Sequence, residues 1–124
     1  MYDLAAVIHD DGAERLVGGG RISIRSTAHR RGDIGYVVHP DRWSRGIATE
    51  IATLLLDFGF ETLGLHRIEA TAEPHNVGSQ KVLAKVGMTY EGRVRDHMLV
   101  GDTWRDSLSY AVLETDPRPR LRQD

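Results

Sequence analysis

The chain has no cysteine among its 124 residues. This excludes disulfides, thiolate metal sites and covalent cysteine catalysis, and makes a reducing cytoplasm the expected setting. It also lacks any apolar run near the roughly eighteen residues that a membrane helix needs, and Met1 to Asp10 have neither the basic start nor the apolar core of an export signal. Nor is there an excess of one charge. Sixteen basic residues face eighteen acidic ones, for a net charge of −2, which argues against a surface built for nucleic acid or anionic lipid. The six histidines, at positions 9, 29, 39, 66, 75 and 97, show no i, i+4 pair and no companion motif, so no metal site is expected. Asparagine occurs once, at Asn76, and fourteen of the sixteen basic residues are arginine, a compositional bias rather than a functional signal.

What is present suffices for one ordinary hydrophobic core, since 40% of the residues are hydrophobic. Residues 1–115 are expected to form a single domain and 116–124, with two prolines and three arginines and no periodicity, a mobile tail. Leu4 to Ile8 and Leu16 to Ile24 flank turn chemistry at Asp10 to Gly12 and read as a β-hairpin. Three glycines in a row, Gly18 to Gly20, suggest a bulge or the close approach of a backbone or ligand, or else a flexible loop. Asp33 to Val38 is a third strand, stopped by Pro40. Ile47, Ile51, Leu54, Leu55 and Phe58 then recur at the spacing of one helical face, which predicts a helix over 47–63 ended by Gly64. His66 to Ala72 alternates as a strand, expected to run parallel to the third. Asn76 stands at a cap position before a helix over 77–86, closed by Gly87. Met88 to Val100 and Thr103 to Leu113 flank Gly101-Asp102 as a long final hairpin, with Trp104, Leu108, Tyr110 and Val112 on one face.

This order places a glycine-containing turn between the third strand and the first helix, where main-chain N–H groups have no helical partner. Such a helix start binds phosphate. Gly46 and the small Ala48 allow a ligand close to the backbone, and Arg42 and Arg45 add positive charge, so a pyrophosphate would fit. Taken alone, the same residues describe an ordinary tight turn equally well.

The stretch Gly35-Tyr36-Val37-Val38-His39-Pro40-Asp41-Arg42-Trp43-Ser44-Arg45-Gly46-Ile47-Ala48-Thr49-Glu50 resembles the GCN5-related N-acetyltransferase (GNAT) superfamily, in its ribosomal-protein N-acetyltransferase branch. A second block, Asn76-Val77-Gly78-Ser79 through Lys85-Val86-Gly87-Met88, matches the same branch. The resemblance spans roughly Gly32 to Val112. Trp43 stands where the superfamily often has Gln or Arg, as is common in this branch. With this resemblance the chain is expected to be a bacterial, cytoplasmic protein. The resemblance implies an α+β (α/β) acyl-CoA N-acyltransferase fold: a mixed, mostly antiparallel sheet with a splayed parallel strand pair and flanking helices, here N-terminally shortened. Family members carry a strand and two helices before the first hairpin, and only 34 residues precede the first block here. Either the chain is a shortened form, or a second subunit or the final hairpin covers the surface left open. A homodimer is among the expected assemblies.

The resemblance further implies acetyl-CoA as co-substrate and an amine as acceptor, with neither nucleic acid nor membrane as partner. Val37, Val38 and His39 would meet the pantetheine arm, with the thioester carbonyl near Val38. Arg45, Gly46, Ile47, Ala48 and Thr49 would cradle the pyrophosphate. Asn76 matches the residue that reaches the pantetheine, although it also reads as a helix cap. Ser79 matches a position near the cofactor sulfur and is the candidate acid, although it could only solvate phosphates or the helix start. A thiol pKa of about 8.5 means that the thiolate leaves without a strong acid. Glu73, just beyond a strand end facing the cleft, is the candidate base, against simple pairing with an arginine. His39, Asp96 and His97 are the other candidates. The expected reaction is direct attack by a neutral amine in a ternary complex, on either a protein N-terminal α-amine or a small-molecule amine. An α-amine with pKa near 8 is about a tenth neutral at pH 7, whereas a lysine near 10.4 is neutral in less than about one part in a thousand. The competing expectation is a CoA-binding module without turnover.

Overall fold

The computed structural model describes residues 1–10, 13–38 and 46–119, and for residues 6–10 and 13–17 the backbone alone. The early alternation forms an antiparallel hairpin, β1 (Tyr2–Asp10) with β2 (Ala13–Ser26), and β2 turns through residues 27–30 into β3 (Arg31–Val38). Where the glycines lead to expect irregularity, the β1–β2 register shifts between Ala6 and Val7, opposite Gly18 and Leu16. Close approach holds as well. A β-carbon on Gly18 would lie 2.5 Å from the Val37 carbonyl oxygen, and one on Gly20 would lie 2.7 Å from Leu55 Cδ1. The strands and the first helix therefore come nearer to β2 there than any side chain would allow.

Helix α1 (Ile47–Asp57) buries Ile51, Ala52, Leu55 and Leu56 against the sheet. Two expectations for this segment need correction. Leu54, read as part of the apolar face, is 48% exposed, because it sits at the margin of the stripe. The α-helix also ends at Asp57 rather than Leu63, and Phe58–Thr62 continue as a π-helical segment in which Leu63 N–H reaches the Phe58 carbonyl at 3.1 Å. Gly59 explains the wider turn: a β-carbon there would be 2.5 Å from Ile68 Cδ1 and 2.7 Å from Ile22 Cδ1, so the segment lies flush on the sheet. Gly64, at φ 68°, stops it as the sequence suggests.

Strand β4 (Arg67–Ala72) runs parallel to β3, helix α2 (Val77–Lys85) follows, and β5 (Thr89–Val100) and β6 (Thr103–Leu113) form the last hairpin. The six strands lie in the order β1-β2-β3-β4-β6-β5, with β3–β4 the one parallel pair. Because β6 pairs with β4 from Leu113 to Leu108, the hairpin extends the sheet edge instead of covering a face. Trp104, expected on its apolar face, is 57% exposed near the hairpin tip, while Tyr110 and Val112 are buried.

Both helices feed one core, in which Ile51, Leu55, Leu56 and Leu83 pack with Ile22, Ile34, Ile68 and Val112. Residues of opposite alternation on the same strands carry charge. Arg25 bonds Asp33 at 2.7 Å, Arg31 lies 3.7 Å from Glu69, and Arg67 reaches Glu69 at 3.1 Å and Glu91 through its other nitrogens. Past β6, the Asp116 carboxylate accepts the Leu113 N–H, and Arg118 pairs with Asp57 at 2.7 Å beneath the Phe60 ring, so residues 116–119 make contacts with the domain. No helix among the described residues is long and apolar enough to cross a membrane.

Candidate active site

Strands β3 and β4 pair only from Arg31–Arg67 to Asp33–Glu69. Beyond that point β3 continues to Val38 alongside β2, through Tyr36–Gly20, Val37–Gly19 and Val38–Gly18, while β4 continues to Ala72 alongside β6. The sheet thus splits at its centre, and both helices begin at the open end of the split. Val37, at 73% exposure, lies at the lip, and Val38 is half-buried against the core. His39 and Arg45, expected to bind the cofactor, lie outside the described residues, as does Arg42.

Helix α1 starts from Gly46 at φ 74°, and its carbonyl accepts Glu50 N–H at 3.1 Å to close the first turn. No side chain among the described residues caps this end. The N–H groups of Ile47, Ala48 and Thr49 precede the first intrahelical donor, so they point out of the helix with its positive dipole end behind them. A β-carbon on Gly46 would touch nothing among the described residues within 4 Å. Glycine here serves the left-handed backbone and leaves open space above it. These residues fit an anion such as a pyrophosphate.

Across the split, the Asn76 side chain accepts the Ser79 N–H at 2.9 Å and caps α2, which fixes Ser79 in the first turn. The Ser79 hydroxyl lies 3.3 Å from the Tyr36 phenol. Burial raises the Tyr36 pKa above the usual tyrosine value, and the Ser79 hydrogen bond partly offsets it, so the phenol stays protonated and able to donate at neutral pH. The structure therefore joins Asn76, Ser79 and Tyr36. Tyr36 is absent from the sequence-based candidates. Its signal was alternation: with Ile34 and Val38 it faces inward, and an inward phenol needs a partner.

Glu73 does not join this cluster. Its carbonyl accepts Asn76 N–H at 3.0 Å and the Gln80 side chain at 3.2 Å, and the exposed residue lines a groove of about 350 Å³ shared with Pro74, His75, Arg93, Trp104 and Arg105. The arginine pairing considered for it is not formed among the described residues. The other basic candidates hold structural positions. His97 Nδ1 lies 2.9 Å from Ser107 Oγ, and Asp96, at φ 47°, gives its N–H to Asp106 at 2.9 Å.

The acetyltransferase (GNAT) domain profile matches residues 2–89. The chain is 39% identical over 84 residues to the uncharacterized N-acetyltransferase YnaD of Bacillus subtilis, a match covering 68% of this chain and 49% of that one. It is 31% identical over 86 residues to the ribosomal protein uS5-alanine N-acetyltransferase of Escherichia coli, covering 69% and 44%. Among solved structures, Mycobacterium smegmatis RimJ in complex with CoA-disulfide superposes with a TM-score of 0.78 at 40% identity, over 90% of this chain and 53% of that one. The chain spans about half the length of the curated relatives it matches.

Proposed function

The chain belongs to the GNAT acetyltransferase family and has a shortened form of its fold, and on that premise we propose that it transfers the acetyl group of acetyl-CoA to a primary amine by direct attack. The observation that carries this reading is the split between β3 and β4, which opens between an uncapped helix start at Gly46 and the Ser79 hydroxyl.

The thioester supplies an activated acyl group, and the protein's part is to position it. By family resemblance, the N–H groups of Ile47, Ala48 and Thr49 would hold the pyrophosphate together with Arg45, and Val37, Val38 and His39 would meet the pantetheine arm, with Asn76 reaching it from the other side of the split. The neutral amine attacks the acetyl carbonyl, the carbon–sulfur bond breaks, and the departing sulfur takes a proton through the Ser79 hydroxyl, which is oriented by Tyr36 and regains its proton from solvent. Tyr36 is thus a positioning residue. Glu73 takes the proton that the amine loses. No covalent link to the protein forms.

The acceptor is either a protein N-terminal α-amine, supported by the uS5-alanine acetyltransferase relative, or a small-molecule amine. The test is purified protein with acetyl-CoA and a panel of amines, read by free CoA and by product mass. Acetylated product above background is expected. Tight CoA binding with no product from any amine would sink the reading and leave the CoA-binding module.

A further inference from the structure

The sheet has two outer edges, β1 and β5, and they are built differently. The β5 edge is broken twice. Its register against β6 shifts between Tyr90 and Gly92 and between Val94 and Met98, Gly92 and Asp96 take positive φ, and Glu91, Arg93, Arg95 and Asp96 set charges along it. Bulges and charges of this kind keep another strand from adding. The β1 edge has neither device. Its residues, Tyr2–Asp10, run without an insertion, because the irregularity against β2 is an extra residue, Val17, on the β2 side. They include no proline, glycine, lysine or arginine, and no described strand lies on their outer side.

Beside that edge, between β1 and α1, lies a groove of about 410 Å³ lined by Tyr2, Leu4, Leu54 and Phe58 over the buried Ile22 and Leu55. Tyr2 and Leu54 are 44% and 48% exposed, so open apolar surface adjoins unpaired main chain. An added strand would cover both.

The chain itself offers a matching strand. A head-to-tail contact, β1 against β5 of a copy, is obstructed by the bulges and would run on without closing. Two β1 edges related by a two-fold axis are antiparallel and close on themselves. Centred on Ala6, they pair every residue of the strand: Leu4 falls opposite Ile8, Ala5 opposite Val7, and Asp3 opposite His9, an acid against an imidazole. A register one residue off sets Asp3 against Ile8 or against Asp10, beside an apolar residue or beside its own charge. In the centred register the Ile8 position of each copy meets Leu4 of the other at the mouth of the groove.

We infer that two copies of this chain join through their β1 edges, antiparallel about a two-fold axis at Ala6, to make one continuous sheet in which each copy closes the apolar groove of the other. The inference stands on strand order and register and is independent of the acetyl-transfer reading. Strands β2 and β3 separate this edge from the split, so both splits stay open.

The experiment is sedimentation of the full chain at rising concentration. A species of twice the 13.9 kDa chain mass is expected to accumulate. Ala5→Lys, at an exposed position on the edge, should weaken association by about tenfold or more while the melting temperature stays that of the parent. Because the chain has no cysteine, single substitutions can also locate the axis. Under mild oxidation Ala6→Cys should cross-link to its own copy, since directly opposite residues stand about 4.5–5.5 Å apart. Asp3→Cys should not, because it and its copy would lie roughly 20 Å apart along the strands, but mixed with His9→Cys it should. If Ala5→Lys melts early, the cross-linking pattern alone decides. A monomer at every concentration would overturn the pairing and leave the groove to another segment or partner. A dimer indifferent to a stably folded Ala5→Lys, or one in which Asp3→Cys links to itself as readily as Ala6→Cys, would overturn it as well.

Discussion

Helix α1 starts from Gly46, in left-handed backbone with no side chain among the described residues closing its first turn, whereas α2 starts from Asn76, whose amide oxygen takes the Ser79 N–H at 2.9 Å. Both starts face the same split in the sheet. Among the described residues the first has no side-chain partner for its donors, and the second spends a donor on its own cap. The difference separates two jobs that share a geometry: α1 offers an electrostatic seat, and α2 holds one hydroxyl in place.

The sharpest way to break this comparison is to close the first start. Gly46→Val forces a β-branched residue into left-handed backbone, which costs about 1–2 kcal/mol, and puts a side chain into the open space above the turn. We expect CoA affinity to fall by about 100-fold, roughly 2.7 kcal/mol at 25 °C by calorimetry. Gly64 provides the control, since it has φ 68° and equally open surroundings at the far end of the helical segment. Gly64→Val should cost similar stability and leave CoA affinity within about twofold. If both variants lose affinity alike, strain and not the seat is responsible.

Next in size is the hydroxyl held by the second start. Ser79→Ala and Tyr36→Phe each remove the same hydrogen bond, so each should lower kcat by about tenfold with little change in the affinity for CoA. The double variant should be no slower than Ser79→Ala, because residues acting as a unit are not additive. Additive losses would mean that Tyr36 acts on its own.

The cap gives smaller effects. Asn76→Ala should lower stability by about 1 kcal/mol, seen as a Tm fall of about 4 °C for a chain of this size. Asn76→Asp keeps an acceptor and should stay within about 0.5 kcal/mol of the parent. If the aspartate variant folds normally yet binds CoA tenfold more weakly, the amide also serves the ligand, and α2 does more than position Ser79.

Much of the fold was legible in the residues because its elements are strongly patterned. The alternation of Ile68 and Ala70, the spacing of Ile51 and Leu55, and the stops at Gly64 and Gly87 each report a local geometric demand, and all appear where expected. Trp104 was misread because alternation specifies a face but not how far along the strand the core extends. The π-helical segment was hidden because it answers to the packing of Gly59 on Ile22 and Ile68, partners distant in sequence. At the site, Gly46, Asn76 and Ser79 could be found as motif positions. Tyr36 could not be joined to Ser79 until the chain crossing from β3 to α2 was known, a separation of 43 residues. The bare edge of β1 follows from the order of the strands in the sheet, which no single segment encodes.

The lattice of Arg25, Asp33, Glu69 and Arg67 on the side of the sheet away from both helices has a practical consequence. Anything laid flat on those strands must strip water from several charges at once, so indiscriminate stacking between copies is penalised. The end of that side farthest from the split, the turn after β2, exposes Thr27. In a chain that contains no thiol of its own, Thr27→Cys offers one defined point for a fluorophore or a surface tether, leaving the split open to solution.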